Sequence, residues 1–210
     1  MRLQKTRLFI YSFSHFAVDM CCFFAIYSSV VNSPDAAVLI LLYNALAFGL
    51  QAPLGAFGDR LDDVRPLAVL GCGLVALGVM AKSLVLVCTV LIGLGNALFH
   101  VGGALASLRH RPGDALYAGI YVAPGALGTA AGLLSASSST LGAGSCLLLM
   151  LICVLLMLAA GPGPARGCET VSSPADLPSL PAFAVLLCIL SIGIRSFAGF
   201  SADTTGLVML

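Results

Sequence analysis

The sequence predicts an all-α membrane protein of seven spans, six forming a bundle and a seventh following a linker. Three observations predict it. Hydrophobic residues fill 60% of the 210 positions and charged residues 9%, with a mean hydropathy of +1.06, whereas a soluble domain carries roughly 25% charged residues. Apolar stretches long enough to cross the hydrocarbon core, about 20 residues at 1.5 Å rise each, recur along the chain. The charges are concentrated between them: GAFGDRLDDVRP, Gly55 to Pro66, holds Asp59, Arg60, Asp62, Asp63 and Arg65, while Ala36 to Pro53 and Leu67 to Ala81 hold none.

The first span runs from Leu8 to Val31. Arg2, Lys5 and Arg7 precede it as they would a secretory signal, but the apolar run is too long for a signal core and lacks a small-residue cleavage site. The second span is Ala36 to Phe57, after the connection NSPD, and the charged dozen is the loop that follows it. The third, Pro66 to Ala81, is short and ends at Lys82 and Ser83; the fourth is Leu84 to Leu108, the fifth Ala115 to Leu134 and the sixth Gly142 to Ala160. Gly161 to Pro181 is rich in Pro, Ser and Gly without periodic apolar spacing, which marks a linker. Ala182 to Ala202 is the seventh span. The domains are therefore a bundle over residues 1–160, a linker over 161–181, and residues 182–210 as the first span of an incomplete second bundle.

Lys and Arg stay on the cytoplasmic side of a membrane. Arg2, Lys5, Arg7, Arg60, Arg65, Arg109, Arg111 and Arg166 fall on one side of this weave, and the opposite connections NSPD and SASSST have no cation. The N-terminus is thus expected in the cytoplasm, with the chain as a multi-pass protein of the cell inner (plasma) membrane. Lys82 alone dissents, and a Lys at a helix end can snorkel to the interface. The net charge of +1 gives no reason to expect nucleic acid as a partner. Of eight cysteines, Cys21, Cys22, Cys72, Cys88, Cys146, Cys153 and Cys188 lie in apolar runs, where cysteine behaves as a small hydrophobe, so no disulfide is assigned.

Three segments carry a family likeness. The loop at Gly55, Asp59 and Arg60 matches G-x-x-x-D-R, with Arg65 as a later cation; GNALFHVGGALASL, Gly95 to Leu108, lies in span four and GIYVAPGALGTAAG, Gly119 to Gly132, in span five. With SHFAVDM, Ser14 to Met20, they resemble the N-terminal half of a major facilitator superfamily transporter, closest to its fosmidomycin-resistance-like efflux branch. The resemblance implies a six-helix bundle of two inverted three-helix repeats, with spans one and four in corresponding positions. It also implies that the loop of Gly55, Asp59, Arg60 and Arg65 latches cytoplasmic helix ends together. Gly55 would admit a close helix there.

Ionisable residues at a helix centre cost on the order of 2.5–3.5 kcal/mol on insertion scales, so each requires a reason. His15 and Asp19 are four apart and share one face of span one. Asn96 and His100 repeat the spacing in span four. If both faces point inward the four converge, with Asp19 as a proton carrier and His15 tuning it or touching substrate; a satisfied interhelical contact fits the same spacing. Arg195 in span seven either pairs with Asp19 or receives an anionic substrate. Gly119, Gly125, Gly128 and Gly132 make a flat packing ridge, and Pro124 bends the helix. Tyr11, Tyr43, Asn44 and Gln51 are further polar candidates, with interhelical bonding as the plainer reading.

The functional expectation is proton-coupled efflux of a small organic molecule by alternating access, without enzymatic activity, metal or organic cofactor. Its partners are substrate, protons, lipid, and a missing C-terminal half or a homo-oligomer mate. A non-transporting scaffold or truncated remnant is the alternative. A haem protein with His15 and His100 as axial ligands and a protease built on Ser145 are more distant ones.

Overall fold

The computed structural model describes residues 2–109, 115–138 and 142–163. The linker from residue 164 on, Arg166, the seventh span with Arg195, and the loop residues His110 and Arg111 lie outside the described residues. Among the described residues every regular element is helical. We label them α1 (Arg2–Ser28), α2 (Ala36–Gly58), α3 (Arg65–Met80), α4 (Val85–Leu108), α5 (Ala115–Ser138) and α6 (Ala143–Ala159).

Four helices, Gln4–Asn32 (α1 with its terminal 3-10 turn), Ala36–Gly58, Val85–Leu108 and Leu116–Ser138, are long and apolar enough to cross a membrane. The 16 residues of α3 and 17 of α6 are also apolar; at 1.5 Å per residue they extend about 24 and 26 Å. α2 is interrupted by a π turn at Ala45–Gly49. α3 begins with Pro66 in its first turn, where the missing N–H would have had no helical partner. Two boundaries differ from expectation. α1 starts well before Leu8, and α5 runs one turn past Leu134 because its serines bond backwards: Ser137 Oγ donates to Leu133 O at 2.9 Å and Ser138 Oγ to Leu134 O at 2.8 Å.

α1 is the central helix, with 67% of its most apolar window buried against 17% for α2. Large apolar side chains point outward around the bundle, including Phe9, Leu41, Leu77, Leu127 and Leu151. Several of the buried side chains are polar, Ser12, His15, Asp19 and Asn96 among them. Apolar outside with polar groups within suits lipid as the surrounding medium. The described cysteines, Cys21, Cys22, Cys72, Cys88, Cys146 and Cys153, are free and buried.

Small residues set the helix contacts. On α5, a Cβ on Gly128 would collide with the carbonyl of Phe16, and one on Gly132 with Met20 O and, at 2.9 Å, Phe24 N, so α5 lies directly on the α1 backbone. The ridge is shorter than expected, since nothing lies within 4 Å of a Cβ placed on Gly119. A second glycine contact joins α3 to α4: a Cβ on Gly71 would meet Phe99 N at 2.5 Å, and one on Gly102 would meet Ala68 N at 2.5 Å.

Arginines tie the helix ends. Arg7 Nε donates to Ala160 O at the end of α6 at 3.2 Å, and Arg109 at the end of α4 donates to Gly58 O at 2.6 Å and Leu61 O at 3.0 Å. Lys82, the dissenting cation, sits 5.6 Å from the Phe24 ring centre, a cation–π contact that gives it a local partner.

Candidate functional site

The two pairs of polar residues spaced four apart meet at the α1–α4 contact. His15 Nε2 lies 3.2 Å from Asp19 Oδ2 and His100 Nε2 lies 3.6 Å from Asp19 Oδ1, so one carboxylate bridges two imidazoles. Asn96 Nδ2 donates to the same Asp19 Oδ1 at 3.1 Å. All four are largely withdrawn from the surface, with His15 at 4% and Asn96 at 2% exposure.

Backbone carbonyls fix the imidazoles. His15 Nδ1 is 2.9 Å from Tyr121 O on α5, and His100 Nδ1 is 2.9 Å from Asn96 O one turn back on α4. A carbonyl oxygen can only accept, so each Nδ1 carries the hydrogen. In the neutral ring, Nε2 then presents a bare lone pair toward Asp19. Two lone pairs and a carboxylate thus face one point and require positive charge among them, as protons or as another cation. Tyr121 completes the enclosure, its ring centre 4.8 Å from that of His15 and its hydroxyl donating to His100 O at 3.3 Å.

α5 closes the cluster with a glycine. A Cβ on Gly125 would stand 2.5 Å from His15 Nε2 and 2.6 Å from Asp19 Oδ2, so only glycine leaves those two atoms where they are. Pro124 lies inside α5 immediately before it, and a proline there removes the amide partner of the carbonyl four residues back.

The loop between α2 and α3 is organised by a residue outside the expected set. Gly58 and Leu61 both accept from Arg109, and Asp59 Oδ1 is 4.0 Å from the same guanidinium. Arg109 therefore clamps α4 to the end of α2. The basic run Arg109–Arg111 was visible in the sequence, but only as an orientation signal. Arg65 is engaged locally instead of reaching across: its guanidinium makes a forked contact with Asp63, with Nη2 to Oδ2 at 2.7 Å. The Arg65 hydrogen bonds hold the Asp63 carboxyl below the usual carboxylate range, and Asp63 raises Arg65 in turn. Arg60 is exposed. Gly55 has open space where a Cβ would go; the tight glycine is Gly58, whose Cβ would come 2.6 Å from Leu105 Cδ1.

The remaining polar candidates resolve simply. Asn44 Nδ2 donates to Ile40 O and Gln51 Nε2 to Ala47 O, each at 2.9 Å and one turn back in its own helix. Tyr11 and Tyr43 are buried in the core. The haem alternative fails on geometry: the His15 and His100 rings touch edge to face with centres 4.5 Å apart, leaving no gap for a porphyrin disc. The chain matches no protein-family model, no curated protein and no solved structure.

Proposed function

We propose that this chain is a transporter module of the cell inner membrane, its N-terminus cytoplasmic, that exchanges a small organic molecule for protons by alternating access. The observation that carries this reading is the buried His15–Asp19–His100–Asn96 cluster, an ionisable group set deep among apolar helices. Such groups are expensive in lipid and mark ion and substrate pathways in membrane bundles. Asp19 is the proton carrier; His15 and His100 share the charge; Asn96 orients the carboxylate. The six helices form two inverted three-helix repeats, as in the major facilitator transporters that the motifs resemble, with a seventh span over Ala182–Ala202. Alternating access needs a second bundle opposite the first, from a second copy or from further chain. Arg109, bonded to Gly58 and Leu61, serves as the cytoplasmic latch together with Asp59.

The test uses inverted membrane vesicles from cells expressing the chain, energised to an acidic interior, with a lipophilic cation (ethidium) and an organic phosphonate (fosmidomycin) as probes. Uptake that requires the pH gradient in wild type and is lost in Asp19→Asn supports the reading. Gradient-independent uptake equal to that of vector controls, for both probes, leaves the chain as a non-transporting scaffold.

A further inference from the structure

We propose that His15, Asp19 and His100 form a binding site for a divalent first-row transition-metal ion, of the class to which zinc belongs. The proposal goes beyond the transport reading because it rests on coordination geometry alone. One donor atom from each of the three residues lies within 4.8 Å of the others, with His15 Nε2 3.2 Å from Asp19 Oδ2 and His100 Nε2 3.6 Å from the other carboxylate oxygen, Oδ1. Donors held tetrahedrally at the usual zinc distances of about 2.0–2.2 Å are separated by roughly 3.3–3.6 Å. Both imidazole–carboxylate separations fall near this spacing, each through its own carboxylate oxygen, so an ion between the rings would be held by both oxygens of Asp19, or by one after a small turn of the carboxylate.

The second layer of contacts is also what a metal site requires. A ligating imidazole characteristically donates its other N–H to a carbonyl or carboxylate, which fixes the ring and its tautomer. Both rings do so here, through Nδ1 to Tyr121 O and to Asn96 O, and both leave Nε2 free to ligate. The ligating carboxylate is held as well, by Asn96 Nδ2.

An independent observation points the same way. Asn96 Oδ1 is buried and has no hydrogen-bond partner among the described residues. A buried acceptor left unpaired costs about 1–3 kcal/mol. Turning the amide over would bring this oxygen to the position of Nδ2, 3.1 Å from Asp19 Oδ1, which is tolerable with a proton or a metal ion between the two oxygens. Asn96 thus has two alternative roles: as it stands it holds Asp19 through Nδ2, and with the amide turned over it offers a bound metal a fourth, neutral oxygen donor. Two imidazoles with a carboxylate select zinc, iron, cobalt, nickel or copper over calcium and magnesium, which prefer all-oxygen cages.

The experiment uses the full chain in detergent, stripped with chelator, without any ion gradient, so a negative result bears on metal binding and leaves the flux test untouched. Zinc is titrated calorimetrically, and cobalt(II) is added in parallel to read visible d–d absorption. Wild type is expected to take up zinc with imidazole ligation, seen directly by zinc-edge X-ray absorption. His100→Ala, with helicity checked by circular dichroism, is expected to weaken that binding roughly 100-fold or more, beyond the range of an outer-shell change. No zinc uptake by wild type, purely sulfur ligation in the X-ray spectrum, or unchanged affinity in a folded His100→Ala each overturns the site. Should His100→Ala fail to fold, the wild-type X-ray spectrum decides alone, because the cysteines would supply sulfur and the cluster nitrogen and oxygen.

Discussion

Gly125→Ala is the sharpest probe of the α1–α5 contact. Its Cβ would stand 2.5 Å from His15 Nε2, 2.6 Å from Asp19 Oδ2 and 2.8 Å from His15 Cδ2, against an ordinary contact beginning at 3.4 Å. The shortfall for the first two is thus 0.9 and 0.8 Å. His15 cannot swing aside freely, because its Nδ1 is bonded to Tyr121 O one turn earlier on the same helix that carries the new methyl. Either that buried hydrogen bond breaks or the helices part. Overpacking costs about 1–3 kcal/mol and an unpaired buried group about 1–3 kcal/mol, offset by about 1 kcal/mol of helix propensity gained on replacing Gly. With both costs incurred the net expectation is a loss of roughly 1–5 kcal/mol. Gly119→Ala is the control: its Cβ enters open space, so it should gain a few tenths to about 1 kcal/mol. Thermal unfolding of both variants in the same detergent, followed by circular dichroism, gives the comparison. Equal or greater stability of Gly125→Ala would refute the packing of α5 on the His15–Asp19 pair.

Arg109→Ala removes the donors to Gly58 O and Leu61 O and should cost about 1.5–3 kcal/mol. It should also speed proteolytic nicking between Gly58 and Arg65, with Arg109→Lys only partly restoring protection because a point charge cannot fork to two carbonyls; unchanged nicking in both would remove the clamp. Asp63 has a folded-state carboxyl below its ordinary value of about 3.9, so its pairing stabilises above that value and fades as pH falls through the lower, folded one. The effect is small because the Asp63 side chain is 34% exposed. Thermal midpoints from neutral pH into the acid range should show a shallower acid loss in Asp63→Asn, and identical profiles would discount the pair. Cysteines placed at Asp62 and Ser137, both exposed, should react with an impermeant maleimide from opposite sides of sealed vesicles; labelling from one side only would overturn the expected weave.

The helices were legible because apolar run length and charge breaks are local properties, and the four-residue spacings put His15 with Asp19 and Asn96 with His100 on shared faces, while spacing alone does not decide whether the two faces meet. What escaped was non-local. Arg109 bonds to carbonyls 48 and 51 residues away, and a basic run by itself reports orientation rather than partner. The contact of Gly71 with the α4 backbone was equally hidden, since a lone glycine in an apolar run does not name the helix it faces. Gly119 was misjudged by angle: six residues from Gly125, at 100° each, it lies about 120° round the helix from the packed face. Gly125, Gly128 and Gly132, three and four apart, stay on that face. Arg65 was drawn off by a neighbour, Asp63 two residues earlier, whose Oδ2 lies 2.7 Å from its Nη2. The proposed metal site was not anticipated: no metal was expected from the sequence, and the closeness of the three donors and the ring tautomers needed coordinates.

Asp19 is the one acidic side chain inside a helix among the described residues, and it contacts both histidines described there. Its partners come from different elements: His15 from α1, Asn96 and His100 from α4, with Tyr121 O and Gly125 of α5 holding His15 in place. Whatever cation occupies the cluster is therefore shared across a helix contact. Removing it leaves a carboxylate facing two lone pairs, an arrangement that favours separation of α1 from α4. A proton and a divalent metal would act on the same three donors and could not both be fully bound. Under the transport reading this makes cation occupancy the variable that holds the two repeats together or releases them. Glycine at position 125 is part of the same arrangement, since a Cβ there would displace two of the three donors, His15 Nε2 and Asp19 Oδ2.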